Sequence, residues 1–222
     1  MRCVIFDLDG TLADTSQDML AAANFALGQL GCTVQLEGGA DDATAFAGGR
    51  AMLRLAGTRA GLAGAALEKL VEDGYPRLLV AYGQSIDTHT VIYPGVVDAV
   101  ERLRARGVAV GICTNKPQAL AHQLLDRLGI SQLFGSMIGA DTLPTRKPDP
   151  APYRAAVMGA GGDISRSMLI GDTVTDRETA RAAKVPCALV TFGPSGQAVA
   201  DLRPEALLHH FDDLDHVVDT LI

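Results

Sequence analysis

Five short apolar runs along the chain predict β-strands. They are Cys3–Phe6, Val108–Cys113, Ser136–Gly139, Met168–Ile170 and Cys187–Val190. Within each run, apolar residues follow one another instead of alternating with polar ones. Strands of a parallel sheet have this pattern, because helices cover both faces of the sheet. The pattern therefore favours a parallel sheet at the centre of the fold.

Helical patterns separate the later strands. They extend over about Gly95–Arg106, Pro117–Leu128, Pro150–Ala160 and Val174–Lys184, where apolar residues recur with a period of about 3.6. A chain that alternates strand and helix is expected to wind its helices onto both faces of the sheet. We therefore predict an α/β fold with a doubly wound, parallel, five-stranded sheet of the Rossmann-like type.

One long interval, from about Asp14 to Tyr93, contains no convincing strand. Its first helical pattern begins with the capping-box sequence Thr15-Ser16-Gln17-Asp18 and stops at Gly31. The chain returns through a turn signal at Tyr93-Pro94-Gly95. We therefore expect an α/β core formed by residues 1–14 and 93–222, and an inserted helical domain formed by residues 15–92.

The composition limits the classes of partner. The 222 residues include 19 Lys and Arg against 26 Asp and Glu, which gives a formal net charge of −7. Nucleic acids and anionic membranes both require a basic surface, so we expect neither as a partner. Because 48% of the residues are hydrophobic, the chain can fill a core, and disorder is excluded as its main state.

The start of the chain and its cysteines indicate a cytoplasmic protein. The apolar opening Met1–Phe6 reaches Asp7 before a signal-peptide core could form, and no run has the length of a membrane span. The four cysteines lack metal-type spacing and are too few for a disulfide framework. We interpret Cys3 and Cys113, which lie in apolar runs, as core residues. The sequence leaves open whether the protein is a monomer or a homodimer.

Two carboxylates directly follow the first predicted strand. In Asp7-Leu8-Asp9-Gly10-Thr11, alternate residues point to the same side of an extended chain, so Asp7 and Asp9 lie together. Open α/β sheets bind ligands at this carboxyl edge. Adjacent carboxylates push their pKa values apart unless a cation joins them, and such a pair suits a nucleophile and a general acid. Alternatively, one aspartate caps the next turn and the other is solvated.

Polar residues also follow the second and third predicted strands. Thr114 and Asn115 precede a helix, and their side chains with the helix N-terminus can hold a phosphate oxygen. The alternative, which this segment alone favours, is an ordinary Thr or Asn cap. Lys147 lies in the sequence Arg146-Lys147-Pro148-Asp149-Pro150, where the prolines restrict the backbone. Its ammonium can neutralise a phosphate or pair with Asp7. The alternative is a solvated basic pair.

Two acidic residues, Asp172 and Asp176, follow the fourth strand in the sequence Gly171-Asp172-Thr173-Val174-Thr175-Asp176. We expect both in the first turn of a helix, where like charges at this spacing repel each other although the helix N-terminus favours each one. A cation at Asp172 would relieve the repulsion, and carboxylate oxygens suit Mg²⁺. Otherwise Asp172 is a plain N-cap and Asp176 is exposed. Since four parallel strands end at one edge, these groups are expected to form one site.

The four motifs resemble those of the haloacid dehalogenase superfamily of phosphotransferases, in the same order along the chain. The matching residues are Asp7–Thr11, Thr114-Asn115, Lys147, and Gly171-Asp172 with Asp176. The helical insertion after the first motif resembles the cap of the phosphoglycolate phosphatase-like subfamily. The resemblance covers nearly the whole core, and the insertion is its least matched region. Lys184, where the subfamily commonly has glycine, and Phe192–Ser195 depart from it.

The resemblance implies a Mg²⁺-dependent phosphatase of a small phosphorylated metabolite, with 2-phosphoglycolate as the best candidate. Asp7 would be the nucleophile that forms an aspartyl-phosphate, and Asp9 would act as general acid and then as general base. Thr114 and Lys147 would bind the transferring phosphoryl group, with Asn115 also in contact with the substrate.

The resemblance also implies a ligand set for the metal. Asp7, the backbone carbonyl of Asp9, and Asp172 would hold Mg²⁺, and Asp176 would support them.

Other functions share some of these features. A sugar-phosphate phosphatase or a phosphomutase of the same superfamily would have the same core residues, and the inserted domain would decide between them. A dehalogenase is disfavoured because Asp9 is present, and a dehalogenase would have no leaving alcohol for Asp9 to protonate. A phosphorylation-dependent receiver module also combines an acidic pair, a threonine and a lysine, but its acceptor aspartate would end the third strand of a domain without an insertion.

Arg50 is the candidate for substrate recognition in the inserted domain. The sequence Gly48-Gly49-Arg50 separates two helical patterns, so we expect Arg50 at a turn or a helix start. If the insertion closes over the core, its guanidinium can bind a substrate carboxylate or phosphate. The alternative is a solvated arginine that covers the helices.

Overall fold

The chain folds into two units, which we describe separately. Residues Met1–Asp14 and Ile92–Ile222 form the first unit, and residues Thr15–Val91 form the second. This computed structural model describes all 222 residues. None of its helices combines the length with the apolar character that a membrane crossing requires.

The first unit contains a six-stranded parallel sheet. Its strands are β1 (Cys3–Phe6), β4 (Ala109–Cys113), β5 (Ser136–Ile138), β6 (Ser167–Gly171), β7 (Cys187–Val190) and β8 (Ala206–Leu208). Two shorter strands, β2 (Ala13–Asp14) and β3 (Val91–Ile92), lie where the chain leaves and re-enters this unit. The order across the large sheet is β5-β4-β1-β6-β7-β8.

Strand β1 lies at the point where the strand order reverses. It pairs with β4 on one side and with β6 on the other, and its last residue, Phe6, is level with Ile112 and Ile170. In open α/β sheets, ligands bind outside the carboxyl ends of the strands at such a switch point. The fold therefore brings the loops after β1, β4 and β6 to one place.

Five helices complete the first unit. They are α5 (Val96–Ala105), α6 (Gln118–Arg127), α7 (Pro150–Gly159), α8 (Val174–Ala183) and α9 (Leu214–Leu221). Four short 3₁₀ helices, Ser131–Leu133, Ile164–Arg166, Gly196–Leu202 and Phe211–Asp213, lie in the connections. The side chains of Tyr153, Val157 and Ala180 join those of Ile5 and Leu169 in one buried cluster against the sheet. Cys3 and Cys113 are buried free thiols, as predicted.

The predicted doubly wound α/β fold is confirmed, and one strand was missed. All five predicted strands are present, and β8 adds a sixth at the edge of the sheet next to β7. Its apolar run is only three residues long, and two of those residues are only partly buried. Tertiary contacts hold it, since Glu205 accepts a hydrogen bond from the Cys187 amide at 2.8 Å and pairs with Arg177 at 2.7 Å.

The second unit is helical. It contains α1 (Ser16–Gln29), α2 (Asp42–Phe46), α3 (Gly49–Arg59) and α4 (Gly64–Gln84). The capping box predicted at Thr15 is wrong, because the Thr15 side chain makes no capping hydrogen bond to α1. Asp18 instead accepts hydrogen bonds from the backbone amides of His89 and Thr90, each at 2.9 Å, and from the Thr90 hydroxyl at 2.8 Å. These three donors occupy the Asp18 carboxylate.

Lys184 ends α8 in a conformation that favours glycine. Its φ is 61° and its ψ is 46°, in the left-handed region. This conformation costs a residue with a Cβ roughly 1–2 kcal/mol, and glycine is therefore common at this position of a helix end.

We predict that Lys184→Gly stabilises the protein by about 0.5–1 kcal/mol, because relief of the strain exceeds the extra chain entropy of glycine. Thermal unfolding should show a rise in Tm of about 1–4 °C. Lys184→Ala removes the same side chain but keeps the Cβ, so it serves as the matched control and should give no rise. An equal rise in both variants would contradict the strain argument.

Candidate active site

Asp7 is the first residue after β1. Its backbone amide donates to the Ile170 carbonyl at 2.8 Å, so the sheet still holds the backbone at this position. One carboxylate oxygen, Oδ1, accepts from the Leu8 amide at 2.7 Å, and the other, Oδ2, lies 2.9 Å from the Lys147 ammonium. Gly10 has a φ of 78° and allows the chain to turn away immediately afterwards. The carboxylate is therefore fixed at the carboxyl edge of the sheet.

Lys147 bridges two carboxylates. Its side chain is 1% exposed, and its Nζ lies 2.9 Å from Asp7 and 2.6 Å from Asp176. Burial alone would lower the pKa of Lys147, but the charges of Asp176 and Asp7 raise it above its usual range, so the ammonium remains charged. Asn115 holds the backbone of this loop, because its side-chain amide donates to the Lys147 carbonyl at 3.0 Å. The predicted second and third motifs are thus in contact.

Asp176 closes the first turn of α8. Its Oδ2 accepts hydrogen bonds from the Thr173 hydroxyl at 2.6 Å and from the Thr173 amide at 3.1 Å. Gly171 permits this arrangement, because a Cβ there would clash with the Asp176 side chain. Since Oδ1 pairs with Lys147, both oxygens of Asp176 are occupied.

Asp172 is the least satisfied carboxylate of the site. It precedes the N-cap Thr173, so the expectation that it lies within the first helical turn is wrong. The reason is that Thr173 and Asp176 together form the capping box. Oδ1 of Asp172 accepts from the Thr11 hydroxyl at 3.0 Å, whereas Oδ2 is buried and has no hydrogen-bond partner.

Burial and neighbouring charges destabilise the ionised forms of two of these carboxylates. Burial raises the pKa of Asp172 well above its usual range, and the charges of Asp176 and Asp7 raise it further. Burial also raises the pKa of Asp7 to about 6, although Lys147 opposes the shift. An added cation would favour the ionised forms of both residues.

The acidic cluster fits a divalent cation. Asp7, Asp172 and Asp176 each offer a carboxylate oxygen, and these oxygens lie within 4.8 Å of one another. Mg²⁺ takes oxygen ligands and is commonly bound through one or two carboxylates. The buried Oδ2 of Asp172 is the oxygen that such an ion would satisfy, because a buried oxygen without a partner is costly.

Asp9 is not one of the three carboxylates of the acidic cluster. Its carboxylate accepts from the ammonium of Lys116 at 2.7 Å, and the Lys116 side chain is 3% exposed. Lys116 directly follows the second motif, Thr114-Asn115, and its local sequence gives no sign of this contact. Thr114, the first residue after β4, is buried, and its hydroxyl oxygen accepts from the Lys116 amide at 3.2 Å.

Arg50 belongs to the second unit, where it is the second residue of α3. Its guanidinium lies 2.5 Å from a carboxylate oxygen of Glu72 and 4.4 Å from the centre of the Tyr75 ring. Both partners are residues of α4, so contacts with that helix hold the guanidinium. The Arg50 side chain is nevertheless 43% exposed. A role in substrate binding stays a prediction.

Comparison with known proteins relates the chain to one family of hydrolases. Residues 1–184 match the family of haloacid dehalogenase-like hydrolases. A phosphoglycolate phosphatase of Mesorhizobium japonicum is 36% identical over 215 residues, which cover 95% of this chain and 92% of that protein. A phosphoglycolate phosphatase of Cereibacter sphaeroides is 35% identical, and the alignment covers 100% of both chains.

Solved structures share the fold. The crystal structure of a predicted phosphoglycolate phosphatase from Haemophilus somnus has a TM-score of 0.82 at 25% identity and covers 98% of this chain and 97% of that chain. A putative β-phosphoglucomutase from Thermotoga maritima has a TM-score of 0.71 at 20% identity and covers 100% of both chains. At this identity, the second structure shows a shared fold alone.

We predict that Asp172→Asn stabilises the protein in the absence of metal and removes its stabilisation by Mg²⁺. The amide still accepts from Thr11 but removes one buried negative charge, which should raise the Tm in EDTA by about 2–4 °C, or roughly 1 kcal/mol for a chain of this size. The wild-type Tm should rise with Mg²⁺, because a ligand that binds only the folded state stabilises it.

The measurement is thermal unfolding in EDTA and in a series of Mg²⁺ concentrations. Asp163→Asn, which changes a carboxylate at the start of a 3₁₀ helix, is the control and should keep the wild-type response to Mg²⁺. A full Mg²⁺ response in Asp172→Asn would show that this residue is not a metal ligand.

Proposed function

This chain belongs to the haloacid dehalogenase-like hydrolase family, and we propose that it is a Mg²⁺-dependent phosphatase that hydrolyses small phosphate monoesters. The observation that carries the proposal is the arrangement around Lys147. A buried ammonium holds the carboxylate of Asp7 at the end of the central strand, beside the unpartnered Oδ2 of Asp172. A carboxylate fixed in this way suits covalent catalysis, and the adjacent negative charge suits a divalent cation.

In the proposed first step, a carboxylate oxygen of Asp7 bonds to the phosphorus atom of the substrate. The bond between phosphorus and the ester oxygen breaks, and the departing oxygen takes a proton from Asp9. The product is an aspartyl-phosphate on Asp7 and a free alcohol. A carboxylate nucleophile divides the hydrolysis into two steps that are each easier than direct attack by water.

In the second step, Asp9 acts in the opposite sense. Its carboxylate takes a proton from a water molecule whose oxygen attacks the phosphorus atom of the aspartyl-phosphate. The bond between phosphorus and Asp7 breaks, so inorganic phosphate leaves and the Asp7 carboxylate is restored. Asp9 then carries the proton that the next leaving group requires.

The phosphoryl group carries negative charge that these residues must compensate. We assign Lys147, the Thr114 hydroxyl and the Asn115 amide to its oxygens. Thr114 and Asn115 directly follow β4, and the Lys147 ammonium lies 2.9 Å from the Asp7 carboxylate. Asp7, the backbone carbonyl of Asp9, and Asp172 would hold Mg²⁺. When bound, the ion would neutralise negative charge on the phosphoryl oxygens.

Asp176 supports the site through another residue. Because both of its oxygens are occupied by Thr173 and Lys147, we assign it to the orientation of the Lys147 ammonium.

We further propose 2-phosphoglycolate as the substrate. The support is that relatives with 35–36% identity along nearly the whole chain carry the name phosphoglycolate phosphatase. Arg50 would bind the second anionic group of such a substrate. A sugar-phosphate phosphatase or a phosphomutase would use the same core chemistry, and product analysis separates them, because a mutase returns the phosphoryl group to a sugar instead of releasing phosphate.

We predict that Asp7→Asn abolishes phosphate release while the protein stays folded, because the amide cannot act as the nucleophile. Phosphate release is measured with Mg²⁺ across 2-phosphoglycolate, several sugar phosphates and nitrophenyl phosphate, and circular dichroism checks the fold. Release near the wild-type rate from a folded Asp7→Asn variant would refute the covalent mechanism.

We predict that Arg50→Ala lowers kcat/KM for 2-phosphoglycolate at least tenfold, which corresponds to about 1.4 kcal/mol, and changes nitrophenyl phosphate little. Glu72→Gln is the matched control, because it removes the ion-pair partner of Arg50 but keeps the guanidinium. It should retain most of the activity on 2-phosphoglycolate. Equal losses on both substrates in Arg50→Ala would exclude Arg50 from substrate recognition.

A further inference from the structure

We propose that Lys116 is the positioning residue for Asp9, and that it directs the Asp9 carboxylate toward the leaving oxygen. The inference rests on the proposed phosphatase function and extends it to a residue that has no assigned role. It concerns the orientation of the general acid, not the binding of substrate or metal.

The contact between the two side chains is short and buried. Lys116 Nζ lies 2.7 Å from Asp9 Oδ1, with 3% of the lysine side chain and 15% of the aspartate side chain exposed. A buried charged pair at this distance forms a strong, directional hydrogen bond. Removal of either partner would leave the other charge without compensation, which is costly in a buried setting. The pair therefore restricts where Asp9 can point. Because Oδ1 accepts from Lys116, the proton that Asp9 donates to the leaving oxygen belongs on Oδ2.

The backbone of Lys116 is fixed on both sides. Its amide donates to the Thr114 hydroxyl oxygen at 3.2 Å, and its carbonyl accepts from the Ala140 amide at 2.9 Å. Pro117 follows as the N-cap of α6. The loop that carries Lys116 is thus anchored at three places: β4, the connection after β5, and α6. A lysine held in this way can fix the orientation of a second side chain that pairs with it.

Each of the two buried lysines at the carboxyl edge holds a different catalytic aspartate. Lys147 pairs with Asp7 and Asp176, whereas Lys116 pairs with Asp9. Asp7 and Asp9 are only two residues apart, and like charges at close range would otherwise compete for one cation. Separate lysines keep one carboxylate as part of the acidic cluster and the other outside it. Nucleophile and general acid are therefore oriented independently.

The consequence is specific to the leaving group. An alkyl ester needs a proton on its departing oxygen, whereas nitrophenolate departs with less help. A misdirected Asp9 should therefore slow alkyl esters much more than nitrophenyl phosphate. A lysine that only stabilised the fold would affect both substrates equally, and one that bound substrate would act mainly on KM.

The test compares Lys116→Met, Asp9→Asn and the double variant on 2-phosphoglycolate and nitrophenyl phosphate, with saturating Mg²⁺. We expect Lys116→Met to lower kcat for the alkyl ester by about 10–100-fold, the range for a misplaced catalytic group, and to lower it for nitrophenyl phosphate less than about threefold. KM should change little. The double variant should lose no more activity than Asp9→Asn alone, because residues that act as one unit are not additive.

Arg177→Met is the matched control. It removes another mostly buried cation of the same unit, which pairs with Glu205 away from Asp9, so it should lower the Tm without changing the ratio of the two activities. If Lys116→Met does not fold, Lys116→Gln replaces it in the same comparison. Its amide can still donate to Asp9 over a shorter reach, and we expect an intermediate loss with the same dependence on the leaving group.

Three results would overturn the proposal. Equal losses on both substrates would make Lys116 a structural residue only. A loss confined to KM would make it a substrate-binding residue, and a loss that adds fully to that of Asp9→Asn would show that it acts independently of Asp9. If the wild-type protein releases no phosphate from any ester, the proposed function itself is rejected, and that outcome is distinct because it appears before any variant is compared.

Discussion

The ion pair between Lys147 and its two carboxylates is the interaction on which the site depends. The ammonium is almost fully buried, and it lies within hydrogen-bonding distance of Asp7 and Asp176. A buried ammonium is tolerated only where carboxylates compensate it, and each carboxylate in turn needs the ammonium. The Lys147 ammonium thus links three segments: the end of β1, the loop that carries Lys147, and the first turn of α8. Loss of the lysine would release all three.

The site carries more negative than positive charge. It has two ammonium groups against four carboxylates. Lys116 pairs with Asp9, and Lys147 pairs with Asp7 and Asp176, whereas one buried oxygen of Asp172 has no partner. Burial and repulsion raise the pKa values of Asp7 and Asp172, so their ionised forms are destabilised in the metal-free protein. Folded proteins accept such a cost where function requires it. The excess negative charge is the feature that a divalent cation would relieve.

Much of this arrangement can be predicted from the sequence, because its causes are local. Residues of a buried parallel strand form a continuous apolar run, and the polar residue that follows marks the carboxyl end. Asp7, Thr114 and Asp172 each follow such a run, and parallel strands necessarily end at one edge. The predicted helices after the first strand of the core also end within one residue of those observed, since their apolar period is regular.

Features that depend on distant contacts could not be predicted. The edge strand β8 has only three residues and is held by Glu205 and its partners. Asp18 was expected to cap its own helix but binds the amides of His89 and Thr90, more than seventy positions along the chain. Lys116 reaches Asp9 across 107 positions, and a lysine before a helix gives no local sign of such a partner. Local patterns locate the ends of strands, but they do not show which side chains meet there.

The most direct test of the central claim is to find where the phosphoryl group is held during turnover. The wild-type protein is mixed with 2-phosphoglycolate and Mg²⁺, quenched in acid within one turnover, and digested for mass spectrometry of its peptides. The account predicts that a peptide from the start of the chain carries the mass of one phosphoryl group on Asp7, and that Mg²⁺ is required for its appearance. A phosphoryl group on another residue, or turnover without any phosphorylated peptide, would contradict the account.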